Sequence, residues 1–162
     1  MDRDGGAQTS GGLRVGILAF DAAGLEALMA HHAAHSAAHY PESNHGMDAA
    51  ALEAADVRLF GGWAAGRLVA MGGYVPIAPD EAEVKSMHVL QEARGTGAGR
   101  AILDAIVQAA RREGVARLRL ETGSGPASAP ARALYARSGF VETPPFGAYA
   151  PDPQSVFMCR DL

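Results

Sequence analysis

Between Glu83 and Ala110 the chain reads E-V-K-S-M-H-V-L-Q-E-A-R-G-T-G-A-G-R-A-I-L-D-A-I-V-Q-A-A, an order that few folds accommodate. A β-like run, Val84 to Leu90, leads into a short polar turn and then into glycines at alternating positions, Gly95, Gly97 and Gly99. After them Ile102, Leu103, Ile106, Val107 and Ala110 fall on one face of a helix. Glycines at a helix mouth leave backbone N–H groups uncovered where the helix dipole is positive, a geometry that holds phosphate oxygens. The stretch therefore points to a phosphate-bearing cofactor.

The flanking sequence narrows the class. At 162 residues the chain is one domain by expectation, with a leader over residues 1–12 expected to be disordered and a single folded domain over residues 13–162. A net charge of −4 argues against nucleic acid as a partner, because no basic surface is available to displace counterions. No apolar run is long enough for a membrane span, and the start lacks the basic-then-apolar order of a signal peptide. The single cysteine, Cys159, reads as a small side chain near a strand end, in keeping with a reducing, cytoplasmic location.

In chain order, Leu13 to Ala19 reads as a first strand, followed by a helix capped at Asp21 with Leu25, Leu28, Met29 and His32 on one face. His31, His35 and His39 share another face of that helix, but no carboxylate or cysteine completes a metal set, so no metal is expected. Pro41 breaks the helix, and Tyr40 to His45 reads as a substrate-contacting loop. A short helix over residues 48–55 precedes a hairpin, Val57 to Trp63 and Gly66 to Val75, ended by Pro76. Glu81 to Leu90 is a third consecutive strand. The glycine-led helix joins it to a strand at Leu118, a crossover that makes those two parallel. A helix beginning near Ser128 and Pro130 ends at Gly139, and Val156 to Arg160 closes the chain as a strand.

Two motifs in this order match a known family. Arg94-Gly95-Thr96-Gly97-Ala98-Gly99 fits [Q/R]-x-x-G-x-[G/A] at a strand-to-helix junction, and Ala131 to Phe140 fits A-x-x-L-Y-x-x-x-G-F. The chain thus resembles the GCN5-related N-acetyltransferases, the GNAT superfamily, from about Leu13 to Leu162. Strings such as P-E-S-x-H, E-x-K-S-M and P-P-F-G-x-Y resemble a bacterial subgroup of it. The resemblance implies an α/β (α+β) fold. Its mixed, mostly antiparallel sheet has about six or seven strands and about four flanking helices, with a parallel pair splayed at the cofactor cleft.

It also implies an acetyltransferase using acetyl-coenzyme A, and site roles follow. Backbone N–H groups from Arg94 through Gly99 would hold the pyrophosphate, with Arg100 beside them. Met87, His88 and Val89 would line the pantetheine arm, Met87 and Val89 through backbone groups, and Thr122, Ser128 and Arg132 would complete the cofactor contacts. Tyr135 matches the general acid that protonates the departing thiolate. Glu83 is the candidate general base: it stands four residues before Met87, hence on the same strand face, while His88 should face the other side. His45, His88 and Glu42 are rival bases.

The acceptor, a small amine by expectation, would meet Tyr40, Glu42, Ser43, His45, Phe146 and Tyr149. The same loops are compatible with a homodimer. Two other readings stand beside this one. A non-catalytic acyl-coenzyme A module shares every cofactor feature. A nicotinamide-dependent dehydrogenase would use the same glycines, but its fingerprint belongs on a first βα turn, whereas three antiparallel strands precede the glycines here.

Overall fold

A computed structural model of the protein describes residues 8–10, 12–41 and 48–162. Within these, one sheet of eight strands has the order β1-β2-β3-β4-β5-β6-β8-β7. The strands are β1 (Gln8–Ser10), β2 (Leu13–Ile17), β3 (Arg58–Ala64), β4 (Arg67–Ala78), β5 (Glu81–Val89), β6 (Arg117–Gly123), β7 (Val141–Glu142) and β8 (Ser155–Asp161). The helices are α1 (Leu25–His39), α2 (Ala49–Ala54), α3 (Ala98–Arg112) and α4 (Ala129–Arg137). Every neighbouring pair is antiparallel except β5 and β6, the pair joined through α3.

The sheet exceeds the expected six or seven strands at its two edges. Gln8–Ser10 pairs with β2, so this part of the supposed leader gains backbone partners; the rest of it, residues 1–7 and 11, lies outside the described residues. At the far edge only Val141 and Glu142 pair with β8. β4 continues through Pro76 to Ala78 instead of stopping at the proline. The ladder slips between Pro76 and Ala78, an irregularity where a missing N–H is tolerated. α1 begins three residues later than an Asp21 cap implies, with Gly24 at its N-cap in the left-handed region at φ 88°.

α3 holds the core. Ile102, Leu103, Ile106 and Ala110 are fully buried, each large one contributing about 1.5–3 kcal/mol relative to exposure. The helix lies close to the sheet because Gly72 of β4 has no side chain: a Cβ there would meet Met87 and Ile102 Cγ2. Two residues along the same face of β4, Tyr74 is wholly buried, and its hydroxyl donates to Glu113 Oε1 at 2.9 Å, satisfying the one polar group it carries inward. Gly114, at φ 82°, ends α3 where its stripe runs out.

Candidate active site

β5 and β6 pair over only three residues, Glu81 with Arg117, Ala82 with Leu118 and Glu83 with Arg119. Beyond Glu83 they separate, while β6 stays paired to β8 as far as Gly123. The backbone edges of Val84–Val89 and Leu120–Gly123 therefore flank a cleft of about 560 Å³. Backbone polar groups freed in this way require partners, and an extended polar ligand supplies them as an added strand would.

One end of the cleft is the mouth of α3. Gly95 and Gly97 adopt φ 76° and 87°, a region that disfavours any side chain, and a Cβ on either would project into open space. That open space, backed by the helix N-terminus, fits a pyrophosphate. Gly99 serves a different purpose: its Cβ would press within 3.1 Å of Leu134, so its smallness lets α3 and α4 pack. Arg94, Ala98 and Arg100 line the same end. Thr96 does not; its hydroxyl turns back to donate to the Ala93 carbonyl at 2.5 Å.

Of the other expected cofactor contacts, Met87, His88, Val89, Thr122 and Ser128 line the cleft. Ser128 Oγ accepts from the Tyr40 hydroxyl at 2.7 Å, a bond that ties the end of α1 across the cleft, and the serine makes no side-chain cap on α4. Arg132 is outside the lining and donates to the carbonyls of Gly123 and Gly125 at 2.6 and 2.9 Å, bracing the loop that follows β6.

The other end carries the titratable groups. Tyr135 faces the cleft from α4 with its ring edge-on to Phe140. Its phenol is held well above the ordinary range by burial, with the Glu121 carboxylate adding to the shift. Glu83 is 7% exposed and also lines the cleft. Its Oε2 accepts from Tyr149 Oη at 2.6 Å and pairs with Lys85 Nζ at 3.1 Å, while Lys85 also donates to Tyr149 Oη at 3.2 Å. Among the described residues Oε1 of Glu83 has no partner. Phe146 lies behind this cluster, packed edge-on to Tyr149 and Phe157 and absent from the cleft wall. Glu42, Ser43 and His45 lie outside the described residues.

The placement of His88 corrects the alternation argument. Lys85 pairs with Gly73 and His88 with Met71, so two residues of β5, Ser86 and Met87, stand opposite Gly72 alone. Ser86 adopts φ 56° at this bulge. The extra residue inverts the parity beyond it. Glu83, Lys85 and His88 consequently share one face, and Met87 turns to the α3 face against Gly72. His88, 8% exposed, meets His32 of α1 with the two Nδ1 atoms 3.2 Å apart. Burial lowers both pKa values from 6.5 to about 4, with neighbouring imidazoles adding to it and Arg94 also bearing on His88.

Among the cleft residues that escaped the sequence argument are Lys85, His32 and His35. Lys85, two residues from Glu83, was within reach of simple alternation. His32, on the apolar face of α1, and His35, in the row with His31 and His39, were assigned no part in the chemistry, yet both line the cleft. Among the described residues no helix is long and apolar enough to cross a membrane.

Residues 25–140 match the acetyltransferase (GNAT) family. The chain is 34% identical over 122 residues to an uncharacterized N-acetyltransferase of Bacillus subtilis, YsnE, covering 75% of this chain and 81% of that one. It is 40% identical over 125 residues to an IAA acetyltransferase of Azospirillum brasilense, covering 76% of this chain and 80% of the relative. Among solved structures, a Klebsiella pneumoniae protein proposed to be an acyl-CoA N-acyltransferase superposes with a TM-score of 0.75 at 28% identity, covering 93% of this chain and 97% of that one. With the splayed β5–β6 pair and the glycine turn at α3 already in place, these matches settle the family: the chain belongs to the GNAT acetyltransferases.

Proposed function

We propose that this acetyltransferase moves an acetyl group from acetyl-coenzyme A to the nitrogen of a small amine by direct attack in a ternary complex. The observation that carries this reading is the meeting of Tyr135 and the Glu83–Lys85–Tyr149 cluster in the one cleft that opens from the glycine turn. Bound acetyl-coenzyme A supplies an activated acyl carbon whose leaving thiolate needs a proton.

The chain's own groups answer that need. The backbone N–H groups at Arg94–Gly99 hold the phosphates, and the freed edge of β5 orients the extended arm. Tyr135 keeps its phenolic proton at neutral pH and gives it up at the sulfur. Glu83 presents Oε1 to an incoming ammonium group, while Tyr149 and Lys85 fix the carboxylate through Oε2. Cys159 sits on β8 outside the cleft wall, which favours direct transfer over a thioester on the enzyme.

The test is thiol release from acetyl-coenzyme A over a panel of primary amines, with products identified by mass spectrometry. Amine-dependent release with an acetylated amine supports the reading. Thiol release without any acetylated amine would overturn it in favour of hydrolysis or mere binding.

A further inference from the structure

The bulge at Ser86 brings together two histidines from segments far apart in sequence, and they form the only imidazole–imidazole hydrogen bond among the described residues. His88 comes from β5 and His32 from α1; both line the cleft on the face that holds Glu83. A contact of 3.2 Å between two Nδ1 atoms is bonding only if one carries a hydrogen and the other a lone pair. In a neutral pair the donor ring then has a bare Nε2 and the acceptor ring an Nε2–H. The pair therefore offers one proton acceptor and one proton donor; uptake at the bare Nε2, transfer of the bridging proton and loss of the other Nε2–H together exchange the roles. His35 and His39, with centroids 4.7 Å apart, continue the row along α1 to its exposed end.

We infer that His88 takes the proton from the acceptor's ammonium group and that His32 relays it outward, so that the base of the reaction is this histidine pair and not Glu83. The inference rests on the amine-transfer reading above. In the step, the ammonium nitrogen loses one proton to Nε2 of the pair, the bridging proton moves from one Nδ1 to the other, and the far Nε2–H leaves to solvent. The freed nitrogen pair forms the C–N bond as the thioester C–S bond breaks. Tyr135 protonates the sulfur and is reprotonated by the second proton that the nitrogen sheds. One proton is released per acetyl transferred, which balances the reaction. Glu83 does not fit the base role as well, since Oε2 is engaged by both Lys85 and Tyr149; it serves as the positioning residue for the ammonium group. The charged and titratable groups facing His88 are Arg94 from the turn, His31 and His35 from α1, and Glu83 and Lys85 from its own strand.

The test compares His88→Gln, His32→Gln and Glu83→Gln with the wild type, using the amine that the wild type acetylates fastest in the panel. His88→Gln should lower kcat by about a hundredfold, with the coenzyme A-induced rise in Tm retained. His32→Gln should give a smaller fall in kcat, and Glu83→Gln should act mainly on KM for the amine. Added imidazole should restore part of the activity of His88→Ala. Wild-type kcat in His88→Gln, or a fall in a variant that still binds coenzyme A and is not rescued by imidazole, would overturn the relay while leaving amine transfer intact. No acetylated amine from the wild type would remove the amine-transfer reading and the relay with it. Where a His88 variant loses the Tm rise and so the fold, ¹⁵N-histidine NMR of the wild type decides: one protonated and one bare Nδ1 supports the relay, and two bare Nδ1 atoms overturn it.

Discussion

Tyr149 donates its phenolic proton to Oε2 of Glu83 at 2.6 Å, and this bond joins the proline-rich loop after β7 to the one face of β5 that carries charge. The loop is thereby fixed over the end of the cleft that carries Glu83 and Lys85. Burial, then the bond to the carboxylate, keeps that phenol protonated well beyond its usual range. Replacing Tyr149 by Phe keeps the ring packed on Phe146 and Phe157 and removes the hydroxyl that donates to Glu83 and accepts from Lys85. The expected cost is about 1.5–3 kcal/mol in urea unfolding, the value of a hydrogen bond to a charged group, together with a raised KM for the amine. An unchanged urea midpoint and unchanged KM would show that the bond orders nothing.

Tyr135→Phe separates chemistry from folding. Among the described residues the Tyr135 hydroxyl has no hydrogen-bond partner, so its removal leaves no orphan and should not lower Tm. Loss of the acid should reduce kcat by about 10²-fold or more while coenzyme A affinity stays the same. A kcat equal to wild type would remove Tyr135 from the mechanism.

Gly97 tests the phosphate end. Its φ of 87° makes Ala cost about 1–2 kcal/mol of backbone strain, although a Cβ meets nothing within 4 Å. Gly97→Glu adds a carboxylate where phosphates are to bind, and should abolish the Tm rise that coenzyme A gives the wild type. A retained rise would place the phosphates elsewhere.

Acid stability follows from the histidine pair. In the folded chain His32 and His88 titrate near 4 against 6.5 when unfolded, so between those values the unfolded chain binds protons that the folded chain refuses. Their contribution is complete above pH 6.5 and declines as the pH falls toward 4. Thermal melts across that window should show Tm falling with pH, with a shallower slope in His88→Gln. Equal slopes would mean that the pair is not buried in its neutral form.

How much of this was legible in the sequence depends on whether a local rule or a long-range contact decided each residue. Gly95 and Gly97 were legible because a left-handed turn at a helix mouth needs glycine wherever it occurs. Gly99 and Arg132 fit the same motifs, yet Leu134 and the Gly123 and Gly125 carbonyls, fixed only by folding, gave them structural tasks. The face of His88 was misjudged because alternation assumes an unbroken ladder, and nothing about a serine at position 86 announces a bulge. The pairing of His32 with His88 spans 56 residues and depends on where α1 crosses β5, which no spacing within either segment reveals.

A crystal structure of the enzyme with coenzyme A examines the account most directly. It should show the pyrophosphate on the N–H groups of Arg94–Gly99, the pantetheine arm paired to the freed edge of β5 between Val84 and Val89, and the sulfur within hydrogen-bonding distance of Tyr135 Oη. Coenzyme A bound outside the β5–β6 cleft, or with its sulfur directed away from both Tyr135 and His88, would contradict it.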